Sequence, residues 1–132
     1  MLKEAILTKE APATIGPYSQ AVRVGNLLFC SGQIPLDPVT GVVIGQAGAV
    51  ADVKAQTKQV MENIAAVLKA AGATFDQIAK TTIYLKSMND FPMVNEVYGS
   101  YFKGVPPARS TVEVARLPKD VSVEVDVTAV LG

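Results

Sequence analysis

Histidine and tryptophan are absent from the 132 residues, and cysteine occurs once, as Cys30. Without an imidazole there is no Ser-His-Asp or Cys-His pair, and the side chain best suited to proton transfer near neutral pH is missing. One cysteine and no histidine cannot supply the closely spaced ligands of a zinc site, so no metal is expected. Chemistry must then rest on Arg, Lys, Tyr, Ser, Thr, carboxylates, backbone groups or water, which suits an easy reaction. No charge excess exists either, since twelve basic and twelve acidic side chains cancel. Long-range attraction to nucleic acid is therefore not expected, and the lysines are scattered rather than clustered. Apolar runs are broken by charge every few residues, and none approaches the ~20 residues a membrane-spanning helix needs. Met1 to Thr8 lacks the apolar core of about 7 to 15 residues that marks a secretory leader. A cytoplasmic location is expected, in keeping with one unpaired thiol in a reducing compartment.

What the chain does have is apolar content, 49% of its residues. A chain of this size can bury roughly two thirds of its unfolded surface, enough for one core without disulfide or metal, and a single domain over residues 1–132 is expected. Turns are marked by Gly16-Pro17, Pro35-Leu36-Asp37-Pro38, Thr40-Gly41 and Gly104-Val105-Pro106-Pro107. Val22-Arg23-Val24, Gly25-Asn26 and Leu27-Leu28-Phe29 predict a hairpin between Ala21 and Ser31. Apolar residues at 50, 53, 60, 61, 64, 67, 68 and 71 fall near a period of about 3.6 and predict an amphipathic helix over Val50–Ala71, with Gly72 positioned to close it. Ile78–Leu85 is β-branched and aromatic, hence a strand. A second helix is predicted after Asn89-Asp90, with either residue as N-cap, running to about Phe102.

Two strands are expected to close the chain, Ala108–Ala115 and Val121–Val130. In the last, Val121, Val123, Val125, Val127 and Ala129 alternate with Ser122, Glu124, Asp126 and Thr128, so one face is packed. The order implies an α+β fold, a mixed sheet with two helices on one face as a two-layer sandwich. The second face is too rich in β-branched residues to be left in water, and self-association is expected to cover it.

The candidates for chemistry are Tyr18-Ser19, Ser31-Gly32-Gln33, Asn89, Arg109-Ser110-Thr111, and Glu124 with Asp126. Arg109 follows Pro106-Pro107-Ala108, where stiff backbone fixes the direction in which its fork leaves the strand. It can anchor a small organic acid through two parallel hydrogen bonds, or be a surface arginine paired with an acid. Glu124 is either a solvated group on a sheet face or, enclosed at a subunit contact, a carboxyl of raised pKa that holds or activates water. Tyr18 and Ser31-Gly32 lie at element ends, where turn chemistry or a ligand would each explain them, and Gly32 lets a ligand approach the backbone. Cys30, inside an apolar strand, reads as a small hydrophobe rather than a nucleophile. Lys80, Lys103 and Lys119 have no special context.

Gly16-Pro17-Tyr18-Ser19-Gln20-Ala21, Ser31-Gly32-Gln33-Ile34-Pro35 and Pro107-Ala108-Arg109-Ser110-Thr111-Val112-Glu113-Val114, with Leu117-Pro118 and Val123-Glu124-Val125, resemble the Rid family of reactive intermediate deaminases, in order and across nearly the whole chain. The resemblance implies a chorismate-mutase-like homotrimer with ligand clefts between subunits. It also implies hydrolysis of enamines and imines such as 2-iminopropanoate and 2-iminobutanoate, released by pyridoxal-phosphate-dependent dehydratases, to 2-keto acids and ammonia with no cofactor. Carried over by position, Arg109 clamps the substrate carboxylate, Tyr18, Ser31, Gly32 and Asn89 line the pocket, and Glu124 orients the attacking water. Thr111 stands where many members have cysteine; its hydroxyl or a nearby carbonyl would have to hold that water. Two other readings accompany the resemblance: an RNA-binding translation inhibitor with ribonuclease activity, disfavoured by the neutral charge, and a trimer that binds small acids without catalysis.

Overall fold

A computed structural model describes residues 2–132. The hairpin forms as expected: β2 (Ala21–Val24) and β3 (Leu27–Gln33) pair antiparallel around Gly25-Asn26, where Gly25 has φ 60°. A short strand the sequence reading did not anticipate, β1 (Glu4–Ile6), pairs with β2 and makes the sheet six-stranded. Only Ile6 of its three residues is buried, so the segment has no alternating pattern to read. β4 (Ile78–Leu85), β5 (Ala108–Glu113) and β6 (Val123–Val130) complete the order β1-β2-β3-β6-β4-β5, antiparallel throughout except for the β4–β5 pair at the edge. The α+β class is therefore as expected.

α1 (Val53–Ala70) is three residues shorter at its start than its periodicity suggested. Asp52 is the N-cap, its carboxylate accepting from the Ala55 N–H at 3.0 Å, and Val50 lies outside, exposed. At the other end Gly72 takes φ 75°, as expected of a residue that closes a helix with its last carbonyls satisfied. The buried side of α1 is more polar than its apolar stripe implied. Gln56, Thr57 and Asn63 are buried alongside Val60, Met61, Ile64, Val67 and Leu68. Asn63 donates to the carbonyls of Ile34 and Leu36 at 3.2 and 3.0 Å, tying the chain after β3 to the helix.

α2 (Phe91–Gly99) ends earlier than Phe102. Ser100, Tyr101 and Phe102 donate to Val97, Tyr98 and Gly99, a tighter three-residue spacing, and the Phe75 and Phe102 rings still meet at 5.7 Å. Neither Asn89 nor Asp90 caps it by side chain. Asp90 has helical backbone and no capping bond, because a single turn over Met88–Asp90 precedes α2, and Ser87 accepts there from the Asn89 N–H at 3.3 Å. β6 begins at Val123 rather than Val121, since the Ser122 N–H is taken by Gln56 Oε1 at 2.8 Å instead of a neighbouring strand. β5 stops at Glu113, where its partner β4 ends opposite at Leu85. No cis peptide bond occurs among the described residues, so both prolines before Arg109 are trans.

Val123, Val125, Val127 and Ala129 of β6 are buried beneath α1 with Leu28, Ile83 and Leu85, forming the core as the alternation implied. The opposite face carries Leu27, Phe29, Val112 and Val130, each between 37% and 43% exposed.

Candidate functional site

Paired residues on neighbouring strands share a sheet face, and successive residues alternate. Thr81 pairs with Arg109 and Ile83 with Thr111, and both Thr81 and Ile83 are buried, so Arg109 and Thr111 leave β5 toward the helices. Tyr84 pairs with Glu124 and Thr82 with Asp126, which puts both acids on the uncovered face. Within one chain Arg109 and Glu124 are therefore on opposite sides of the sheet.

Arg109 is aimed rather than free. Its Nη1 donates to Asn95 Oδ1 at 2.7 Å, and its guanidinium carbon lies 5.1 Å from the Phe91 ring centre and 5.2 Å from that of Tyr98. Electrostatic attraction to the two ring faces fixes the plane of the fork. Tyr98 is itself fixed, its hydroxyl sharing a 2.7 Å hydrogen bond with Thr81. Nε and Nη2 have no partner among the described residues, which leaves a two-donor edge for an incoming carboxylate. Thr111 Oγ1 is buried with no partner. Asn89 stands exposed in the turn before α2, and that turn is docked to β5 where the Met88 N–H reaches Glu113 Oε1 at 2.8 Å. Arg109 and Thr111 thus share the helix side of β5 at the sheet edge, with Asn89 in the turn before α2. Asn95, Phe91 and Tyr98 support Arg109; the sequence showed Phe91 and Tyr98 only as apolar positions of a helix, and Asn95 carried no signal.

Tyr18, Ser31, Gly32 and Glu124 line a separate cleft of about 650 Å³. Ser31 Oγ donates to the Ser19 carbonyl at 2.6 Å, and the Ser31 N–H donates to the Gln20 carbonyl at 2.9 Å, joining the turn after Gly16 to β3. The register between β3 and β6 slips between Cys30 and Gln33, lifting Gly32 out of the regular ladder. A Cβ on Gly32 would run into the Glu124 carboxylate, so glycine is what allows that group to lie over the strand. Burial, then the charge of Asp126, raise the Glu124 pKa above the ordinary carboxylate value. Asp126 accepts from the Tyr84 hydroxyl at 3.0 Å. Cys30 faces the core, and burial pushes its thiol up to about 12, in line with a packing role. Among the described residues no group of three or more acidic or sulfur side chains converges as metal ligands would. No helix there is long and apolar enough to cross a membrane.

The sequence reading did not foresee Gln20 as a wall of this cleft. Its amide accepts from the Thr8 N–H at 2.7 Å and donates to the carbonyls of Thr8 and Pro12 at 2.9 Å each, clasping the segment that borders the cleft from outside. A buried glutamine in a turn motif was the available signal.

The profile of the endoribonuclease L-PSP family matches residues 8–131. The chain belongs to this family. A RutC family protein of Pyrococcus abyssi is 53% identical over 98% of each chain. A 2-iminobutanoate/2-iminopropanoate deaminase of Salmonella typhimurium is 47% identical, again over 98% of each. Among solved structures, YyfA of the conserved Rid protein family from Yersinia pestis superposes with a TM-score of 0.92 at 49% identity, covering 98% of this chain and 100% of that one. The resemblance read from the motifs is thus confirmed at the level of the family and its fold.

Proposed function

We propose that the protein is a cofactor-independent deaminase that hydrolyses 2-imino acids to 2-keto acids and ammonia, acting as a homotrimer in which the Arg109 edge of one copy meets the Glu124 cleft of the next. The observation that carries this reading is the division of the site: an aimed arginine with a free two-donor edge on one side of the sheet, and a raised-pKa carboxylate over a glycine on the other. The 47% identity to the Salmonella deaminase supports the choice of reaction.

The substrate carboxylate takes the free edge of Arg109 through two charge-assisted hydrogen bonds. This neutralises the acid and sets the C=N carbon beside the Glu124 carboxylate, which lies over Gly32. Glu124 accepts a hydrogen bond from a water on its open side; the Thr111 hydroxyl is shut off from solvent and takes no part in holding that water. The water oxygen bonds to the imine carbon as one of its protons passes by way of Glu124 to the nitrogen, giving a carbinolamine; the remaining hydroxyl proton then passes by the same carboxylate to the amine nitrogen, the C–N bond breaks, and the oxygen lone pair closes the C=O bond as ammonia leaves. One imine and one water give one keto acid and one ammonia. Such imines decay in water unaided, so orientation and charge neutralisation are sufficient, and no strong nucleophile is needed.

The test is ammonia release when the protein is added to a dehydratase working on serine or threonine. Wild type accelerates it over the dehydratase alone. Arg109→Ala loses about 100-fold or more in kcat/KM, the scale of a charged anchor removed from a shielded site, while circular dichroism and assembly size stay as in wild type. Full activity in a folded Arg109→Ala protein refutes the proposal. Binding of keto acid by wild type without any ammonia release assigns a non-catalytic role instead.

A further inference from the structure

At the rim of the cleft two residues in succession adopt left-handed backbone. Lys119 has φ 55° and ψ 22°, and Asp120 has φ 56°. A Cβ makes this conformation unfavourable, and elsewhere among the described residues the chain gives it only to glycine. Strain of this kind persists where surrounding contacts enforce it. Here Gln46 Nε2, from the distant loop before α1, donates to the carbonyls of Lys119 and Asp120 at 3.2 and 3.1 Å. Arg116 grips the Asp120 carboxylate from Nε and Nη2 at 2.9 and 3.4 Å.

The outcome is a lysine whose backbone is held at the cleft rim while its side chain is left without a counter-ion. Asp120 is neutralised by Arg116, and Lys119 has no acidic partner within salt-bridge distance among the described residues. Lys119 is also the one basic residue lining the cleft, and it lines as well a second hollow of about 280 Å³ that shares Pro12, Ala13, Ile15 and Leu36 with the first. The acid of that hollow, Asp37, is already engaged, its Oδ1 accepting from the N–H groups of Val39 and Thr40 at 2.8 and 3.0 Å. A ligand extending from Glu124 past Lys119 therefore runs along mixed walls on which Lys119 is the one cationic residue.

We propose that Lys119 is a second anion-binding point of the cleft, so that the site accepts 2-imino acids with a carboxylate on the side chain as well as small monocarboxylic ones. This rests on the imine-hydrolase reading: the common carboxylate goes to Arg109, the imine carbon lies by Gly32 and Glu124, and the side-chain carboxylate goes to Lys119. The test uses the stable keto-acid products. Calorimetric titration of the assembled protein compares 2-oxobutyrate with 2-oxoglutarate, for wild type, Lys119→Met, Lys119→Arg and Arg109→Ala. Wild type binds 2-oxoglutarate about 10-fold tighter, the size of one added charge-assisted contact. Lys119→Met removes that gain and leaves 2-oxobutyrate unchanged, and Lys119→Arg restores it. Lys119→Gly, which relaxes the backbone and removes the charge together, melts no lower than wild type and also loses the gain. Equal affinities in wild type, or an equal loss for both acids in Lys119→Met, overturn the proposal. When 2-oxobutyrate binds in an Arg109-dependent way without any dicarboxylate gain, only the Lys119 assignment falls; when neither acid binds wild type, the hydrolase reading falls with it.

Discussion

Glycine at position 32 and glutamate at position 124 are a matched pair: the first leaves out the atoms that the second needs to occupy. Gly32→Ala is expected to displace the Glu124 carboxylate, a movable side-chain end, and so to lower kcat by about 10-fold or more with a melting temperature close to wild type, read by steady-state kinetics and calorimetry. Glu124→Gln separates chemistry from stability. Its carboxyl pKa is raised in the folded chain, so the ionised form is less favourable there than in the unfolded chain. The resulting penalty is full above the folded pKa and vanishes below the unfolded one. At pH 7 Glu124→Gln is expected to slow turnover while raising the melting temperature, and the rise should fade as the pH is lowered through the carboxylate range. In wild type, the acid limb of the rate profile should lie above the ordinary glutamate value and move down in Asp126→Asn, which removes the neighbouring charge. At this scale the sequence was most legible where a residue type is unusual for its place, as with Arg109 after two prolines. It was silent on Lys119, because left-handed backbone at a lysine leaves no mark in the pattern of side chains.

Elements decide which of these residues can meet. The alternation in β6 was readable because one face is buried by α1 and the other is polar, and the structure places Val123, Val125, Val127 and Ala129 inward as that pattern requires. Periodicity was less informative at helix ends, where the Ala55 N–H donating to Asp52 and the Asn89 N–H donating to Ser87 mark the boundaries. β1 was illegible because three residues with one buried side chain carry no period. The segment from Thr8 to Pro12 has no regular structure, and its order depends on Gln20. Gln20→Ala leaves partly buried backbone groups of Thr8 and Pro12 unpaired and is expected to cost about 1 to 2 kcal/mol, measurable by urea unfolding. Because the same segment borders the cleft, the KM for imine should rise at denaturant-free conditions even where the protein remains folded.

For the whole molecule, the sequence implies a sheet with one face left uncovered by its two helices, and the structure adds that Arg109 and Glu124 leave that sheet on opposite faces. The first followed from the count of helices against strands. The second depends on the parallel β4–β5 register, which nothing in local pattern fixes. On the proposed trimer, every working centre draws on two copies. Mixing folded Arg109→Ala chains with Glu124→Gln chains, each impaired alone, should then raise activity above that of either variant once the subunits exchange, with about a quarter of centres intact at random assortment; no gain after verified exchange would mean that each copy works by itself. The same division makes dilution an off-switch, since a lone chain holds both ingredients and can never bring them to one point. It also means that a defective copy is never damaged in private: it disables a centre that its sound neighbour was relying on.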